Sequence, residues 1–224
     1  MTQQIRYKAV LFDLDGTLLD TLDDLTDSVN AVLSSHGYQT HDREAYRYFV
    51  GDGIINLILR ALPSDRSDES YARSLLPEVD LEYEKRWNIK SAPYEGIRLL
   101  LKDLASRNLK LAVLSNKPHP FTTRIVSHFF PDIPFQYVYG ARDGVPRKPD
   151  PSAALDIAKE MKIDPSLFLY VGDTNTDMKT AFAAGMYAVG VAWGFRPVEE
   201  LVEAGANMII KKPEDLLSMT LFPF

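Results

Sequence analysis

Two aspartates, Asp13 and Asp15, are the residues of this chain whose types and spacing most directly suggest chemistry. They follow an apolar run, Ala9 to Phe12, and a glycine, Gly16, comes directly after them. The run suits a short buried parallel strand, and open α/β sheets bind ligands where such strands end. Two neighbouring carboxylates repel each other, and a cation would relieve that repulsion. For this segment alone, an ordinary acidic turn after a strand remains the alternative.

Three other segments end in polar residues that could act together with these aspartates. Ser115 and Asn116 follow a second apolar run, Lys148 precedes a predicted helix, and Asp173 and Asp177 follow a third run. If the strands are parallel, all these side chains meet in one crevice. The set is rich in oxygen and has no cysteine or histidine, so it suits Mg²⁺ better than zinc. Lysine, hydroxyl and amide groups bind phosphate oxygens, and an aspartate can act as a nucleophile. The pattern therefore indicates phosphoryl transfer.

The elements that must position these residues fall into two groups along the chain. From residue 21 to residue 91 the apolar spacing is helical, Pro77 is predicted to kink or break a helix, and no strand is convincing. After Ala92, helices and strands alternate, which is typical of a parallel sheet covered by helices on both faces. The predicted helices there are Ile97–Ser106, Phe121–Phe129, Ser152–Met161, Asp177–Ala184 and Val198–Ala204, and the predicted strands are Leu109–Leu114, Tyr137–Tyr139, Leu167–Val171, Ala188–Ala192 and Met208–Ile210.

The simplest architecture is an α/β core interrupted by a helical insertion. Residues 1–19 and 93–224 are predicted to form the core domain, and residues 20–92 are predicted to form a helical cap. The cap would leave and re-enter the core near the edge where Asp13 and Asp15 lie. A helical module in that place can cover a site and set its specificity.

The composition is that of an ordinary globular protein and argues against several classes of function. Hydrophobic residues make up 46% of the 224 residues, charged residues make up 25%, and the formal net charge is −6. No block of Lys and Arg stands out, so no nucleic-acid partner is expected, and no apolar stretch suits a membrane span. The lack of cysteine excludes disulfides and thiolate catalysis. Met1 to Arg6 lack the apolar core of a signal peptide, so a cytoplasmic protein is expected. The sequence leaves both a monomer and a homodimer open.

Four segments, in order along the chain, resemble the four motifs of the haloacid dehalogenase (HAD) superfamily. They are Asp13-Leu14-Asp15-Gly16-Thr17, Ser115-Asn116, Lys148-Pro149 and Gly172-Asp173-Thr174-Asn175-Thr176-Asp177. The resemblance spans the whole chain and includes a helical cap after the first motif. It implies a Rossmann-like parallel sheet core with an inserted α-helical cap domain.

The resemblance also implies a role for each motif residue. Asp13 would be the nucleophile that forms an aspartyl-phosphate, Asp15 the general acid and base, and Lys148 a catalytic cation. Mg²⁺ would be held by the side chains of Asp13 and Asp173 and by the main-chain carbonyl of Asp15. Asp177 would orient the metal's waters or the lysine. Thr17, Ser115 and Asn116 are the expected phosphate-binding residues.

Within the superfamily, the residues favour hydrolysis of a phosphate ester. The dehalogenase branch lacks the second aspartate, which is present here as Asp15. The phosphomutase branch usually has a branched apolar residue where this chain has Thr17. The phosphonate-cleaving branch needs a cap lysine, and Lys85 and Lys90 have no supporting pattern. A HAD-fold binding protein that has lost turnover stays open as a function of another class.

The expected substrate is a small phosphorylated metabolite, with 2-phosphoglycolate first. The cap segment with Gly51, Asp52 and Gly53 resembles the cap of phosphoglycolate phosphatases, and its backbone N–H groups could meet the carboxylate of 2-phosphoglycolate. A simple break between two cap helices is the alternative for that segment. Pyrophosphate, nucleotides and sugar phosphates stay open as substrates, as does a β-phosphoglucomutase-like reaction, because fold resemblance cannot name a substrate.

Overall fold

The central sheet consists of six parallel strands in a computed structural model that describes residues 7–219. In that part of the chain the strands are β1 (Ala9–Phe12), β2 (Leu19–Asp20), β3 (Ala92–Pro93), β4 (Lys110–Pro118), β5 (Phe135–Ala141), β6 (Phe168–Gly172), β7 (Tyr187–Val191) and β8 (Met208–Ile210). Six of these strands form the central sheet, in the order β5-β4-β1-β6-β7-β8, and β2 and β3 form a separate pair. Strand β1 therefore lies between β4 and β6, with Phe12 in register with Val113 and Val171.

Helices cover both faces of this sheet. In the described chain they are α1 (Leu22–Ser35), α2 (Arg43–Phe49), α3 (Ile54–Ala61), α4 (Glu69–Arg86), α5 (Ile97–Ser106), α6 (His119–Phe129), α7 (Ser152–Met161), α8 (Asn175–Ala183), α9 (Val198–Glu203) and α10 (Asp215–Met219). Buried residues of α7, α8 and α9 pack on one face of the sheet, and those of α5, α6 and α10 pack on the other.

The first strand shows why its sequence is an unbroken apolar run. Val10 and Phe12 point into the core beneath α5 and α6, whereas Ala9 and Leu11 point into the core beneath α7 and α8. Side chains alternate between the faces of a strand, so a strand covered on both faces must be apolar at every position. All four residues are fully buried.

The cap consists of helices α1 to α4 and is closed at its base. Strands β2 and β3, at its entry and exit, pair antiparallel. The buried carboxylate of Asp24 on α1 accepts hydrogen bonds from the backbone N–H groups of Lys90 and Ser91 and from the Ser91 hydroxyl, at 2.7 to 3.1 Å. These bonds fix the returning chain against the first cap helix.

The structure confirms the predicted fold class and corrects several elements. The α/β sheet with an inserted helical module is present. Strand β4 continues to Pro118, beyond the predicted end at Leu114, and Pro77 lies inside an unbroken α4. The short strands β2 and β3 were not predicted, because two-residue strands carry no periodic signal.

We propose residues 20–92 as the cap domain and residues 1–19 with 93–224 as the core. The β2–β3 pair at the junction supports those limits. Residues 1–6 and 220–224, including the segment used to predict a cytoplasmic protein, lie outside the described part. Between residues 7 and 219, none of the helices has the length and apolar character that crossing a membrane requires.

Candidate active site

Asp13 lies at the carboxyl end of β1, where its side chain is almost fully buried. Its backbone N–H donates to the carbonyl of Val171 at 2.9 Å, which continues the pairing with β6. Its carboxylate oxygen Oδ1 lies 2.8 Å from Lys148 Nζ but has no well-aligned hydrogen bond among the described residues. Burial, followed by the charge of Asp177, raises the pKa of Asp13 well above its usual range, although Lys148 opposes the shift. This carboxylate needs further positive charge to stay ionised.

Lys148 joins two of the buried carboxylates. Its Nζ forms an ion pair with Asp13 and donates to Asp177 Oδ1 at 2.7 Å and to the Leu114 carbonyl at 3.2 Å. Burial alone lowers the pKa of a lysine, but Asp13 and Asp177 together raise the pKa of Lys148 well above its ordinary value. The ammonium group is therefore charged at neutral pH.

Asp13, Asp173 and Asp177 form the acidic cluster, with one carboxylate oxygen of each residue within 4.8 Å of the others. Asp173 accepts a hydrogen bond from the Thr17 hydroxyl at 3.0 Å and another from the backbone N–H of Phe195 at 2.8 Å. Burial, reinforced by Asp177, raises the pKa of Asp173 to about 7. Three buried carboxylates beside one lysine fit a divalent cation with oxygen ligands.

Asp177 is already engaged by protein donors on both oxygens. Oδ1 accepts from Lys148, and Oδ2 accepts from the backbone N–H and the hydroxyl of Thr174 at 3.1 and 2.7 Å. The Thr174 contacts form a capping box at the start of α8. Asp177 is therefore suited to hold Lys148 and the loop after β6, rather than to give both oxygens to an ion.

Gly16 allows the first motif to pass directly over Asp173. Its φ is +82°, and a Cβ at this position would collide with the Asp173 carboxylate. A glycine is needed here for both reasons, since side chains rarely adopt that φ and no space is left for one.

Asp15 has a different environment from Asp13, although it lies only two residues further on. Its carboxylate accepts a hydrogen bond from the Thr21 hydroxyl at 2.6 Å and two from Lys117 Nζ at 3.0 and 3.1 Å. Lys117 is buried, and Asp15 raises the pKa of that lysine although burial opposes the change. The sequence interpretation overlooked Lys117. Its signal was its place directly after Ser115 and Asn116.

The predicted phosphate-binding residues have different positions. Ser115 lines the cavity described below, and its hydroxyl oxygen accepts from the backbone N–H of Lys117 at 3.2 Å. Asn116 also lines the cavity, but its side-chain amide donates to the carbonyls of Gly51 and Lys148, and its oxygen accepts from Lys148 N–H. The Thr17 hydroxyl is directed to Asp173. Asn116 and Thr17 therefore hold other parts of the site in place.

Of the three predicted substrate-binding residues of the cap, Gly51, Asp52 and Gly53, two line the cavity and one does not. Gly51 and Gly53 line the cavity, whereas Asp52 accepts a hydrogen bond from the core residue Thr176 at 2.8 Å and pairs with Arg60. The segment separates α2 from α3, as the alternative interpretation expected, and also connects the cap to α8.

A cavity of about 590 Å³, part of it open to solvent, lies between cap and core. Its core wall includes the motif residues Asp13, Asp15, Ser115 and Asn116, and its cap wall is mostly apolar. The lining residues are Asp13, Asp15, Ser115, Asn116, Lys117, Pro118 and Phe121 from the core, and Leu25, Val50, Gly51, Gly53, Ile54, Leu57, Val79, Asp80 and Tyr83 from the cap.

Comparisons with known proteins agree with this geometry. The chain is 31% identical over 207 residues to a phosphoglycolate phosphatase of Pseudomonas syringae pv. tomato, covering 91% of this chain and 76% of that protein. It is also 31% identical to one of Nitrosospira multiformis, covering 91% of both. A solved structure from Lactobacillus delbrueckii subsp. bulgaricus, provisionally named phosphoglycolate phosphatase, is 29% identical with a TM-score of 0.89, covering 96% and 99% of the two chains.

A family model fixes the assignment. The model for haloacid dehalogenase-like hydrolases matches residues 10–191, a span that contains most of β1, the cap, the acidic cluster and Lys148. The chain belongs to the haloacid dehalogenase-like hydrolases.

Proposed function

We propose that this protein hydrolyses small phosphate monoesters through an aspartyl-phosphate on Asp13. The observation that carries the proposal is the unlike pair of carboxylates at one cavity wall. Asp13 lies in the acidic cluster with Lys148, and Asp15 lies outside it with Lys117 and Thr21. Such separation gives two carboxylates two roles, nucleophile and proton carrier.

In the first step, an oxygen of Asp13 attacks phosphorus and the bond from phosphorus to the ester oxygen breaks. Asp15 gives its proton to the departing alkoxide, so an alcohol leaves and an aspartyl-phosphate forms. In the second step, Asp15 takes a proton from water, which attacks the phosphorus and releases inorganic phosphate. Asp13 is then regenerated.

The remaining residues hold these groups and the phosphoryl oxygens. Lys148 places positive charge beside Asp13, and the Ser115 hydroxyl is available at the cavity wall. Lys117 and Thr21 fix the position of Asp15. Asn116 and Thr17, proposed from sequence as phosphate ligands, act by positioning Lys148 and Asp173.

Mg²⁺ is the cation that we propose for the acidic cluster. The side chains of Asp13 and Asp173 and the main-chain carbonyl of Asp15 would hold it, and Asp177 would support the site through Lys148. When bound, the ion supplies positive charge for the phosphoryl oxygens and keeps Asp13 ionised. The raised pKa values of Asp13 and Asp173 support this assignment, because both carboxylates are costly to ionise without a cation.

Two classes of substrate have support. The names of the relatives and the glycines at the cavity support 2-phosphoglycolate. The cap wall of the cavity supports esters that carry hydroxyl or amino groups, such as sugar phosphates, because it supplies the carboxylate of Asp80 and the hydroxyl of Tyr83. A binding protein without turnover is the alternative of another class.

Phosphate release from a panel of esters with Mg²⁺ tests the proposed activity. The panel contains 2-phosphoglycolate, pyrophosphate, nucleotides and sugar phosphates. We expect turnover by the wild type and loss of at least about a thousandfold in Asp13→Asn, since the nucleophile is then absent. Undiminished turnover by Asp13→Asn would exclude the mechanism, and a silent wild type would favour a binding protein.

A further inference from the structure

Two polar groups on the cap wall of the cavity have no well-aligned hydrogen bond in the described chain. They are the carboxylate of Asp80 and the hydroxyl of Tyr83, and both residues line the cavity. They lie three residues apart on α4, so they share one face of that helix. Neither belongs to the four motifs or to the proposed chemical steps.

Tyr83 is buried in a defined position. Its ring packs edge-on against Phe121 with centroids 5.0 Å apart, and Lys117 Nζ lies 4.8 Å from its centroid. The residue is 4% exposed, and its hydroxyl has no well-aligned hydrogen bond within residues 7–219. Burial raises the pKa of this hydroxyl, and Lys117, which is near it, opposes that rise. A buried hydroxyl without a well-aligned hydrogen bond is costly, so a group that fills the cavity and pairs with it would be favoured.

Asp80 lines the mostly apolar cap wall of the cavity. The half-buried side chain has neither an ion pair nor a hydrogen bond to any other described residue, and burial raises its pKa. Apart from Asp80 and Tyr83, the side chains that line the cap wall of the cavity are apolar, namely Leu25, Val50, Ile54, Leu57 and Val79. A carboxylate in such surroundings is stabilised by a hydrogen-bond donor and destabilised by a second carboxylate.

We propose that Asp80 and Tyr83 form a subsite for the alcohol part of the substrate, and that this part carries a hydroxyl or amino donor on an apolar body. The donor pairs with Asp80, and the Tyr83 hydroxyl pairs with the same or an adjacent polar atom. The apolar wall packs on the carbon atoms. This inference rests on the proposed phosphatase activity and assigns the substrate class of the same site. It predicts that esters with a hydroxyl or amino donor are better substrates than 2-phosphoglycolate.

A series of esters with equal chain length tests the selectivity. Ethyl, 2-hydroxyethyl and 2-aminoethyl phosphate and 2-phosphoglycolate differ only in the terminal group, and four-carbon counterparts extend the reach toward α4. We expect kcat/KM of the wild type to be highest for the hydroxyl or amino member at one chain length and lowest for the carboxylate. Highest activity on the carboxylate ester would overturn the inference while leaving the proposed chemistry intact.

Variants then assign the selectivity to these residues. Asp80→Asn should lower the kcat/KM ratio of the amino ester to the alkyl ester by about tenfold or more, because a charged acceptor is lost. It should raise the relative rate on 2-phosphoglycolate. Tyr83→Phe should lower the ratio of hydroxyl to alkyl ester with little change in Tm, because the hydroxyl has no well-aligned hydrogen bond to lose.

Asp65→Asn is the matched control, since Asp65 is an exposed aspartate before α4 and does not line the cavity. Its ratios should equal those of the wild type. Ratios unchanged in both Asp80→Asn and Tyr83→Phe, with turnover retained, would overturn the subsite alone. A wild type that hydrolyses no ester would instead overturn the proposed function, and the subsite with it.

Discussion

Ionisation of the buried carboxyls of Asp173 and Asp13 destabilises the folded protein when no cation is bound. Both carboxyls have raised pKa values in the fold, about 7 for Asp173 against an ordinary 3.8. The folded chain therefore binds protons more tightly than the unfolded chain. Their contribution to folding is favourable below pH 4 and is lost as the pH rises toward 7.

The direction of these pKa shifts predicts how stabilisation by Mg²⁺ depends on pH. We expect the Mg²⁺-dependent increase in Tm to be larger at pH 8 than at pH 5, because protons replace the cation at low pH. Thermal unfolding of EDTA-treated protein with and without Mg²⁺ measures the difference. Asp173→Asn should remove the increase at pH 8. An increase of the same size at both pH values would contradict the assigned ion site.

Gly16 is the residue whose substitution should disturb this site most directly without removing a charge. Gly16→Ala should lower the free energy of unfolding by about 2 kcal/mol or more, because of its positive φ and its contact with Asp173. Denaturant titration measures the loss. Gly144→Ala is the control, since Gly144 also has a positive φ but no atom within 4 Å of an added Cβ. Equal losses would show that the contact with Asp173 adds nothing.

The sequence predicted the residues that approach Asp13, but it could not predict those that hold Asp15 or face it. Asp13 and Asp173 follow apolar runs, and Lys148 precedes a predicted helix, so parallel strands joined by helices bring the three positions to one edge of the sheet. Lys117, Asp80 and Tyr83 reach the cavity because of the exact direction of β4 and the packing of α4. Helical periodicity cannot separate a residue that faces a cavity from one that faces a core.

At the scale of elements, the buried contact between α1 and the returning chain should contribute much of the cap's stability. Asp24→Ala leaves the backbone N–H groups of Lys90 and Ser91 and the Ser91 hydroxyl without their acceptor, so it should cost about 3 kcal/mol. Denaturant unfolding provides the measurement.

Asp27→Ala on the same helix is the matched control. Asp27 pairs with the side chain of Lys90 at 2.6 Å, and both side chains are about half exposed. A surface ion pair of this kind should contribute less than about 1 kcal/mol. Equal costs for the two variants would contradict the structural role of Asp24.

Helices of regular length were predicted well, and two-residue strands were not. Ile97–Ser106 and Ser152–Met161 have the predicted limits, whereas β2 and β3 escaped prediction. Pro77 was predicted to kink or break a helix, and the predicted break does not occur. The helix α4 continues through it because packing of Leu75, Val79 and Tyr83 outweighs the local cost of proline.

At the scale of the whole molecule, the cap and core are joined around the cavity by polar contacts. Arg47 donates to the carbonyls of Gly194 and Phe195, and Asp52 accepts from Thr176. These contacts hold the cap against the core beside the cavity. The structure therefore shows the cap closed over the cavity. Sequence patterns within one helix cannot predict such pairs, because each joins residues more than 100 positions apart.

Thr176→Val tests this closure without altering a charge. Loss of the hydrogen bond to Asp52 should raise KM about threefold and change kcat less, because the cap closes over the substrate less often. Steady-state kinetics on the best ester gives both constants. Thr123→Val is the control, since that hydroxyl bonds only carbonyls within α6. An equal KM for the two variants would show that the hydrogen bond between Thr176 and Asp52 does not contribute to cap closure.

The covalent phosphoryl group on Asp13 is the most direct test of the account. Asp15→Asn treated with p-nitrophenyl phosphate and Mg²⁺ should accumulate a phosphoenzyme, because the good leaving group needs no proton but the second step needs the base. Peptide mass spectrometry after acid quenching should locate one phosphoryl group on Asp13 and none when Asp13→Asn is added. A phosphoryl group on another residue, or turnover without any phosphoenzyme in Asp15→Asn, would contradict it.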